Sequence, residues 1–211
     1  MCITPDQKDG LESFLQVARK RDRPIILLEG TRKVPDSDIK RLHDLATFLA
    51  SSLPTAIFRS GNAQGSDSYF FHALANENPE RLEYILPYPG AGKKRIHPGT
   101  KVFSLDDLNQ QETTAVVEST LAASPDLESL IRLFLTRGRT NVTAKVMYLL
   151  RDTMKVLGGT SINLPPADFG FFFLNPEKPL SGGTGHTVRV CKKMQVPVYT
   201  QDEWGRMPFD A

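Results

Sequence analysis

Pro24-Ile-Ile-Leu-Leu-Glu29, followed at once by Gly30-Thr31-Arg32, is the segment from which the fold can be inferred. An apolar run of this length that glycine ends abruptly is typical of a strand buried on both faces of a parallel sheet. The next helix is predicted to begin at Asp36 or Ser37 and to run to about Leu53. A strand, a short loop and a helix therefore follow one another here, as in an α/β fold.

The same order of strand, loop and helix recurs along the chain. Further strands are predicted at residues 55–60, 82–86, 167–174 and 196–200. Further helices are predicted at 9–20, from 66 or 67 onward, at 112–123, 126–135 and 141–157, and from the loop 180–186 to about residue 194. The polar segment 91–107 is predicted to be a loop or lid. This alternation indicates an α/β, Rossmann-like three-layer sandwich, with a mostly parallel sheet and helices on both faces.

The composition, with 40% hydrophobic and 24% charged residues, is that of an ordinary globular protein. At 211 residues we expect a single domain over 1–211, with its core at about 24–200. No apolar run approaches the roughly 20 residues of a membrane span, and the polar start is unlike a signal peptide. We therefore expect no membrane partner and a cytoplasmic location. Cys2 and Cys191 stand far apart, which predicts no disulfide and places Cys191 on a buried helix face.

The charge of the chain bears on its partners. A formal net charge of +2 is not the basic excess that nucleic-acid-binding proteins usually show, so we expect no nucleic-acid partner. The basic cluster at 93–95 is interpreted as solvated surface. His43, His72 and His97 form no set with acidic residues at metal-ligand spacing, so no metal site is predicted.

Three short glycine-containing loops that follow predicted strands or open helices carry the candidate functional residues. Strands of a parallel sheet end at one edge, where open α/β sheets bind ligands. Glycine lets the backbone approach a ligand closely, and the N–H groups at a helix start favour a phosphate. We therefore predict a phosphate-bearing, nucleotide-type ligand. The predicted ligand-binding residues are Gly30, Thr31, Arg32, Ser60, Gly61, Asn62, Gly65, Ser66, Asp67, Gly182, Gly183, Thr184, Gly185, His186, Thr187 and Arg189.

Two known kinds of phosphate loop are absent from the sequence. None of the three loops has the spacing G-x-G-x-x-G, and none is a Walker A loop, because no Gly-Lys-Ser/Thr follows. An ordinary dehydrogenase and a phosphate-loop ATPase are therefore disfavoured. The sequence fixes no cofactor; the expectation is a bound nucleotide or nucleotide-derived cofactor.

Several of these residues have two interpretations. Asp67 either pairs with a helix dipole or is a catalytic carboxylate, and it is the one catalytic candidate. Arg32 either clamps a phosphate or is a surface residue. Arg59 ends a buried strand and needs a partner, which we expect to be Glu29 on a neighbouring strand. His186 is either a neutral phosphate donor at a helix start or a packed histidine.

The three loops together resemble those of the SLOG superfamily, which includes the Lonely Guy phosphoribohydrolases, the DNA-processing protein A family and the molybdenum-cofactor carrier proteins. The similarity covers roughly residues 24–200. Gly61, Gly65 and Asp67 match the second glycine-rich motif of that superfamily, S-G-x-A-x-G-x-D. The resemblance implies a Rossmannoid sheet, a nucleotide or nucleotide-derived ligand and a homodimer.

The third loop departs from the Lonely Guy motif P-G-G-x-G-T-x-x-E. Its glycines match at 182, 183 and 185, but Ser181 replaces the proline, His186 the threonine and Arg189 the catalytic glutamate. A carboxylate stabilises the positive charge that develops on the sugar when an N-glycosidic bond breaks, whereas an arginine does the reverse. Lonely Guy chemistry by its usual residues is therefore not expected.

Three hypotheses follow, in this order. The first is a sensor or carrier that binds a nucleotide or nucleotide-derived ligand without changing it. The second is a hydrolase that cleaves an N-glycosidic or phosphoester bond of a nucleotide, with Asp67 as its catalytic group. The third is single-stranded DNA binding like that of DNA-processing protein A, against which the near-neutral charge weighs.

Overall fold

The computed structural model describes residues 5–205 and contains a sheet of six parallel strands. In chain order they are β1 (Ile25–Gly30), β2 (Ile57–Ser60), β3 (Leu82–Leu86), β4 (Lys101–Ser104), β5 (Phe169–Phe173) and β6 (Val198–Thr200). Across the sheet the order is β4-β3-β2-β1-β5-β6. The predicted Rossmann-like α/β fold is confirmed, with every strand pairing parallel.

Helices cover both faces of the sheet. They are α1 (Pro5–Ala18), α2 (Asp36–Ser52), α3 (Ser66–Leu74), α4 (Gln110–Ala123), α5 (Glu128–Arg137), α6 (Ala144–Leu157), α7 (Gly182–Lys193) and α8 (Gln201–Trp204). Side chains of α1, α2, α3 and α8 share a buried cluster with one face, and those of α4 to α7 pack on the other. Cys191 is buried on α7, as predicted, whereas Cys2 lies outside the described residues. Within residues 5–205, no helix has the length and apolarity needed to cross a membrane.

Two local predictions are wrong. The segment 91–107, predicted as a loop or lid, contains the edge strand β4, in which Lys101 and Val102 are exposed. An edge strand with one solvated side carries no continuous apolar run, which is the signal that identified the central strands. The helix predicted from 141 begins at Ala144, and Val142, expected in its buried stripe, is 65% exposed.

Arg59 pairs with Glu83 rather than with Glu29 as predicted. In the parallel register Arg59 lies opposite Glu83 on β3, whereas its partner position on β1 is Leu27. Arg59 Nε and Nη2 both donate to Glu83 Oε2, at 3.0 and 2.8 Å. Its Nη1 donates to the carbonyl oxygens of Lys155 and Pro165. The guanidinium is thus fully buried and well bonded, and Glu29 is left for other partners.

The order in which strands are added to the sheet reverses between β1 and β5. The chain builds outward from β1 to β4 and then returns to place β5 on the other side of β1. The two strands stay paired to their ends, where Thr31 N–H donates to the Phe173 carbonyl at 2.8 Å. In open α/β sheets, ligands bind in the crevice outside the carboxyl ends of the strands at such a switch point.

Candidate ligand-binding site

A cavity of about 1010 Å³ opens at the carboxyl ends of β1 and β5. We call it the switch-point cavity. Its walls are residues 29–33 at the end of β1, Asn175 and residues 178–184 before and at the start of α7, residues at the end of α4 and just after it between 123 and 127, and one side of α6 from 145 to 155. It therefore lies where the strand order reverses, and its volume is at the upper end for small-molecule sites.

The first turn of α7 forms one wall of the cavity. Its N-terminal flanking residue Ser181 makes no side-chain capping hydrogen bond, and the first α7 N–H bonded within the helix is that of Gly185, to the Ser181 carbonyl. The preceding N–H groups have no intrahelical acceptor, as at any helix start. Gly182 has a φ of +63°, and nothing lies within 4 Å of where a Cβ would stand. Free backbone donors and the positive end of the helix dipole therefore face the cavity.

Close contacts fix this turn against the end of β1. Thr184 Oγ1 donates to the Gly30 carbonyl at 2.9 Å. A Cβ on Gly30 would stand 2.3 Å from the Phe173 carbonyl oxygen and 2.6 Å from Ser66 Oγ. Ser66 Oγ in turn donates to the Thr31 carbonyl at 2.9 Å. The three predicted loops thus meet at the end of β1, and only glycine at position 30 leaves room for this contact.

A buried charge cluster forms the floor. Lys155 Nζ lies 2.6 Å from Glu29 Oε2 and 2.8 Å from Asp152 Oδ1. Arg151 Nε lies 2.9 Å from the same Asp152 oxygen, although its N–H is not directed at that oxygen, and Arg151 Nη1 donates to the Gly61 carbonyl. Thr187 Oγ1 donates to Glu29 Oε2 at 3.3 Å. Glu29 Oε1, by contrast, has no hydrogen-bond partner among the described residues.

The pKa values of the two carboxyl groups of the floor, Glu29 and Asp152, are shifted in opposite directions. Burial raises the pKa of Glu29 to about 7, more than Lys155 lowers it, and the charges of Asp67 and Asp152 add to the rise. Burial also opposes ionisation of Asp152, but Arg151 and Lys155 outweigh it and hold its pKa below the ordinary value. Paired carboxyl groups with separated pKa values are a feature of functional sites.

The mouth of the cavity is basic and partly aromatic. Seven basic and four acidic residues line the whole cavity. Arg32, Lys33, Lys145 and Lys178 are the exposed basic ones. Tyr148, 39% exposed, lies on the α6 side with the Arg151 guanidinium carbon 5.7 Å from its ring centroid. The mouth can therefore attract an anion and offer a ring for stacking.

Half of the predicted ligand-binding residues line this cavity. They are Gly30, Thr31, Arg32, Asp67, Gly182, Gly183, Thr184 and Arg189. The other predicted residues lie behind or beside it: Ser60, Gly61, Asn62, Gly65, Ser66, Gly185, His186 and Thr187. Three of these have close contacts with neighbouring loops. Asn62, with a φ of +58°, donates to the Gly92 carbonyl, Gly185 packs against Leu180, and Gly65, with a φ of +87°, packs against Arg32.

Asp67 ties the loops together. Its Oδ1 accepts from the Gly30 N–H at 3.3 Å, and its Oδ2 accepts from Ser60 Oγ at 2.9 Å and from the Ala63 N–H at 3.3 Å. The side chain is buried, although it lines the cavity. Both carboxylate oxygens are thus occupied by protein donors, which gives Asp67 a positioning role, and its catalytic role stays a prediction.

His186 belongs to a buried hydrogen-bond chain rather than to the cavity wall. Thr120 Oγ1 donates to the Val116 carbonyl, so it accepts from Thr153 Oγ1, 2.6 Å away. Thr153 therefore accepts from His186 Nε2 at 2.9 Å. His186 Nδ1 is left to accept from Ser124 Oγ at 2.8 Å. This order makes His186 neutral, and burial lowers its pKa to about 4.

Arg189 completes this chain. Its Nη2 donates to Ser124 Oγ at 2.9 Å, its Nε to the Ala123 carbonyl and its Nη1 to the Leu180 carbonyl. The guanidinium thus joins α7 to the end of α4 and to the loop before α7. Arg189 shapes the cavity wall.

The histidines 43, 72 and 97, which the sequence left unassigned, share a second cavity of about 440 Å³ on the α2–α3 face. His97 Nδ1 lies 2.6 Å from the Tyr84 hydroxyl, and the His72 and His97 ring centroids are 5.8 Å apart. No group of three or more His, Cys, Asp or Glu residues among those described could hold a metal ion.

Sequence reasoning missed the floor of the switch-point cavity. Asp152 and Lys155 lie in a helix whose apolar stripe predicted a core role, and Glu29 was matched to the wrong partner. A usable signal existed, because a charged residue within an otherwise apolar buried strand requires a partner. Which element supplies that partner depends on the tertiary fold.

Fold and site together define a Rossmann-like α/β protein with a large cavity at its switch point. No protein-family model matches the chain. No curated protein matches it significantly. A solved structure that shows the single-stranded DNA binding mode of DNA processing protein A from Helicobacter pylori is similar in fold, with 16% identity and a TM-score of 0.49. The similarity covers 84% of this chain and 64% of that one, so this chain spans less than two thirds of that structure's length.

The expectation of no nucleic-acid partner, which rested on the low net charge of the chain, is wrong. The similar structure is of a protein that binds single-stranded DNA. Net charge averages over a whole surface, whereas the exposed basic residues here include a group at the cavity mouth.

Proposed function

We propose that this chain binds a phosphate-bearing, nucleotide-type ligand in the switch-point cavity. The observation that carries the proposal is the uncapped first turn of α7, which opens onto a large cavity with a basic mouth. A helix N-terminus gives backbone donors and a favourable dipole to an anion, and exposed arginine and lysine side chains add charge-assisted hydrogen bonds.

We propose that the phosphate of the ligand binds beside Gly182, in the first turn of α7. Nothing lies within 4 Å of where a Cβ on Gly182 would stand, and Arg32 and Lys33 at the end of β1 line the same cavity. The rest of the ligand extends toward α6, where Tyr148 offers a ring and Leu127 an apolar contact. This distribution of polar and apolar lining fits a nucleotide better than inorganic phosphate alone.

Isothermal titration calorimetry with AMP, ADP-ribose and inorganic phosphate tests the proposal. We expect AMP or ADP-ribose to bind more tightly than inorganic phosphate. In the double variant Arg32→Ala/Lys33→Ala the Kd is expected to rise about tenfold or more, as for the loss of charge-assisted bonds. The matched control is Lys192→Ala/Lys193→Ala, which removes the same charge from the exposed far end of α7.

Absence of binding by all three probes at millimolar concentration would contradict the proposal, as would equal weakening by the two double variants. Chromatography of the same mixtures after incubation separates binding from the hydrolase alternative. Release of free base, ribose 5-phosphate or inorganic phosphate would make the chain an enzyme, whereas intact ligand supports a sensor or carrier.

We also propose that the chain is a member of the SLOG superfamily. Its support is that the glycines of both matched motifs, at 61–65 and at 182–185, follow or adjoin strands at one edge of a parallel sheet. Membership carries the predictions of a single domain and a homodimer. Native mass spectrometry of freshly purified protein tests the homodimer and reveals any co-purified ligand, and a monomer would contradict the expected homodimer.

Single-stranded DNA is a second candidate ligand, favoured by a basic and aromatic surface beside β3. Lys93 and Lys94 are exposed in a 3₁₀ turn, and the Arg139 guanidinium lies 4.2 Å from the ring centroid of Tyr88. Basic residues that follow a backbone, together with rings that accept bases, are how proteins bind single strands without sequence preference.

Fluorescence anisotropy with a labelled oligothymidine tests this second candidate. Binding is expected to weaken steeply with salt and to be reduced in Lys93→Ala/Lys94→Ala, but not in Lys192→Ala/Lys193→Ala. Binding that is insensitive to salt, or equally reduced in both variants, would contradict it.

A further inference from the structure

We propose that Glu29 takes up a proton when the phosphate-bearing ligand binds in the switch-point cavity. This inference rests on the proposed function and concerns the same cavity. It assigns to Glu29 a role in ligand binding that the sequence did not suggest.

The geometry of Glu29 supplies the first argument. The residue is 3% exposed and lines the cavity floor, yet its Oε1 has no partner among the described residues. Its Oε2 lies 2.6 Å from Lys155 Nζ and 3.3 Å from Thr187 Oγ1, whose hydroxyl also donates to the Gly183 carbonyl. A buried carboxylate oxygen without a donor is costly in the ionised state. A proton on Oε1 removes the charge and makes that oxygen a donor.

The charges around Glu29 supply the second argument. Lys155 from α6 is its one direct cation, and Lys155 is shared with Asp152, which has Arg151 as a further neighbour. From α3, Asp67 adds a negative charge, and from α7 Cys191 and His186 bring no positive charge at neutral pH. Asp152 is therefore better compensated than Glu29, and Glu29 is the floor carboxylate that gains a proton.

An anionic ligand changes this balance further. A phosphate at the start of α7 adds negative charge near Thr187, which contacts both the Gly183 carbonyl and Glu29. The free protein already holds the pKa of Glu29 at about 7, so a nearby anion moves it above neutral. The neutral acid then no longer repels the bound anion.

Calorimetry with AMP at pH 7.5–8.5, in two buffers that differ in ionisation enthalpy, measures the proton. In this range the AMP phosphate, whose second pKa is about 6, is already dianionic. We expect uptake of about half a proton or more per AMP and a Kd that rises by up to about tenfold per pH unit, because binding favours the protonated protein. In Glu29→Gln, which has no titratable group at this position, we expect both effects to be lost. The control Glu177→Gln changes an exposed carboxylate that does not line the cavity, and should keep both effects.

The outcomes separate the two proposals. Failure of AMP to bind at all overturns the proposed function and this inference with it. Binding whose heat is the same in both buffers overturns only the role of Glu29, as does proton uptake that persists in Glu29→Gln. If Glu29→Gln does not fold, the two-buffer comparison on the unaltered protein still decides whether a proton is taken up.

Discussion

Lys155 Nζ lies 2.6 Å from Glu29 Oε2, and both side chains are almost wholly buried. This contact joins the middle of α6 to the end of β1 at the floor of the switch-point cavity. The ammonium also faces Asp152, and the pKa of Lys155 is raised because Asp152 and Glu29 together outweigh its burial. Lys155 is therefore the cation that the two floor carboxyl groups share.

Replacement of Lys155 by methionine is expected to destabilise the protein strongly. It leaves Glu29 without its cation and Asp152 with Arg151 alone, and breaking a buried ion pair costs about 3–5 kcal/mol. Urea unfolding measures the change. Lys145→Met, on the exposed side of the same helix, is the control and should change the unfolding free energy by less than about 0.5 kcal/mol.

A double-mutant cycle sharpens this prediction. In Lys155→Met/Glu29→Gln, neither an unpaired ammonium nor an unpaired Glu29 carboxylate remains, so the double variant should be more stable than the sum of the two single losses. Additive losses would contradict the ion pair between these two residues.

The order of the strands and helices could be predicted because local patterns determine it. Residues 25–30 and 169–173 form buried strands whose sequences are nearly all apolar, and glycine ends the first of them. The three loops could be placed at one edge because parallel strands end together. Strand β4 was missed because its exposed edge carries no such apolar run.

The charged residues of the cavity floor could not be predicted from local sequence patterns. In α6 eight consecutive residues, 149–156, are buried, so no exposed face separates its charged residues from its apolar ones. Whether Asp152 and Lys155 face a neighbouring helix or the end of β1 is decided by the packing of α6 on the sheet. A helical periodicity cannot contain that information.

Because Asp67 has a positioning role, we expect its replacement to lower the stability of the protein. Asp67→Asn replaces an acceptor oxygen by an amide group that faces Ser60, Gly30 or Ala63 donors. An unsatisfied buried donor costs about 1–3 kcal/mol, so we expect a loss of that size in urea unfolding. Asp126→Asn, an exposed carboxylate at the same cavity, should cost almost nothing. Unchanged stability of Asp67→Asn would refute the positioning role.

Two glycines at the site should respond differently to alanine. Gly30→Ala places its methyl group 2.3 Å from the Phe173 carbonyl oxygen, which a paired strand cannot easily move, so a loss of about 3 kcal/mol or failure to fold is expected. Gly182→Ala meets open space and suffers only from its φ of +63°, at about 1–2 kcal/mol. The folded Gly182→Ala protein should nevertheless bind AMP more weakly, because its methyl group stands at the phosphate position. Circular dichroism and calorimetry distinguish the two effects.

The buried hydrogen-bond chain through His186 should make the unfolding free energy depend on pH in the acid range. Its folded pKa of about 4 lies below the ordinary value of 6.5, so the unfolded state binds the proton first as the pH falls. The stability from neutral His186 is present above pH 6.5 and is lost toward pH 4, by up to about 3 kcal/mol.

Glu29 acts in the opposite direction, because its folded pKa of about 7 lies above 4.5 and folding then gains stability as the pH falls from 7 to 4.5. The two slopes oppose each other in the unaltered protein. Unfolding free energies measured from pH 7 to 4 should therefore fall less steeply in His186→Gln and more steeply in Glu29→Gln, and parallel curves for all three proteins would contradict both assignments.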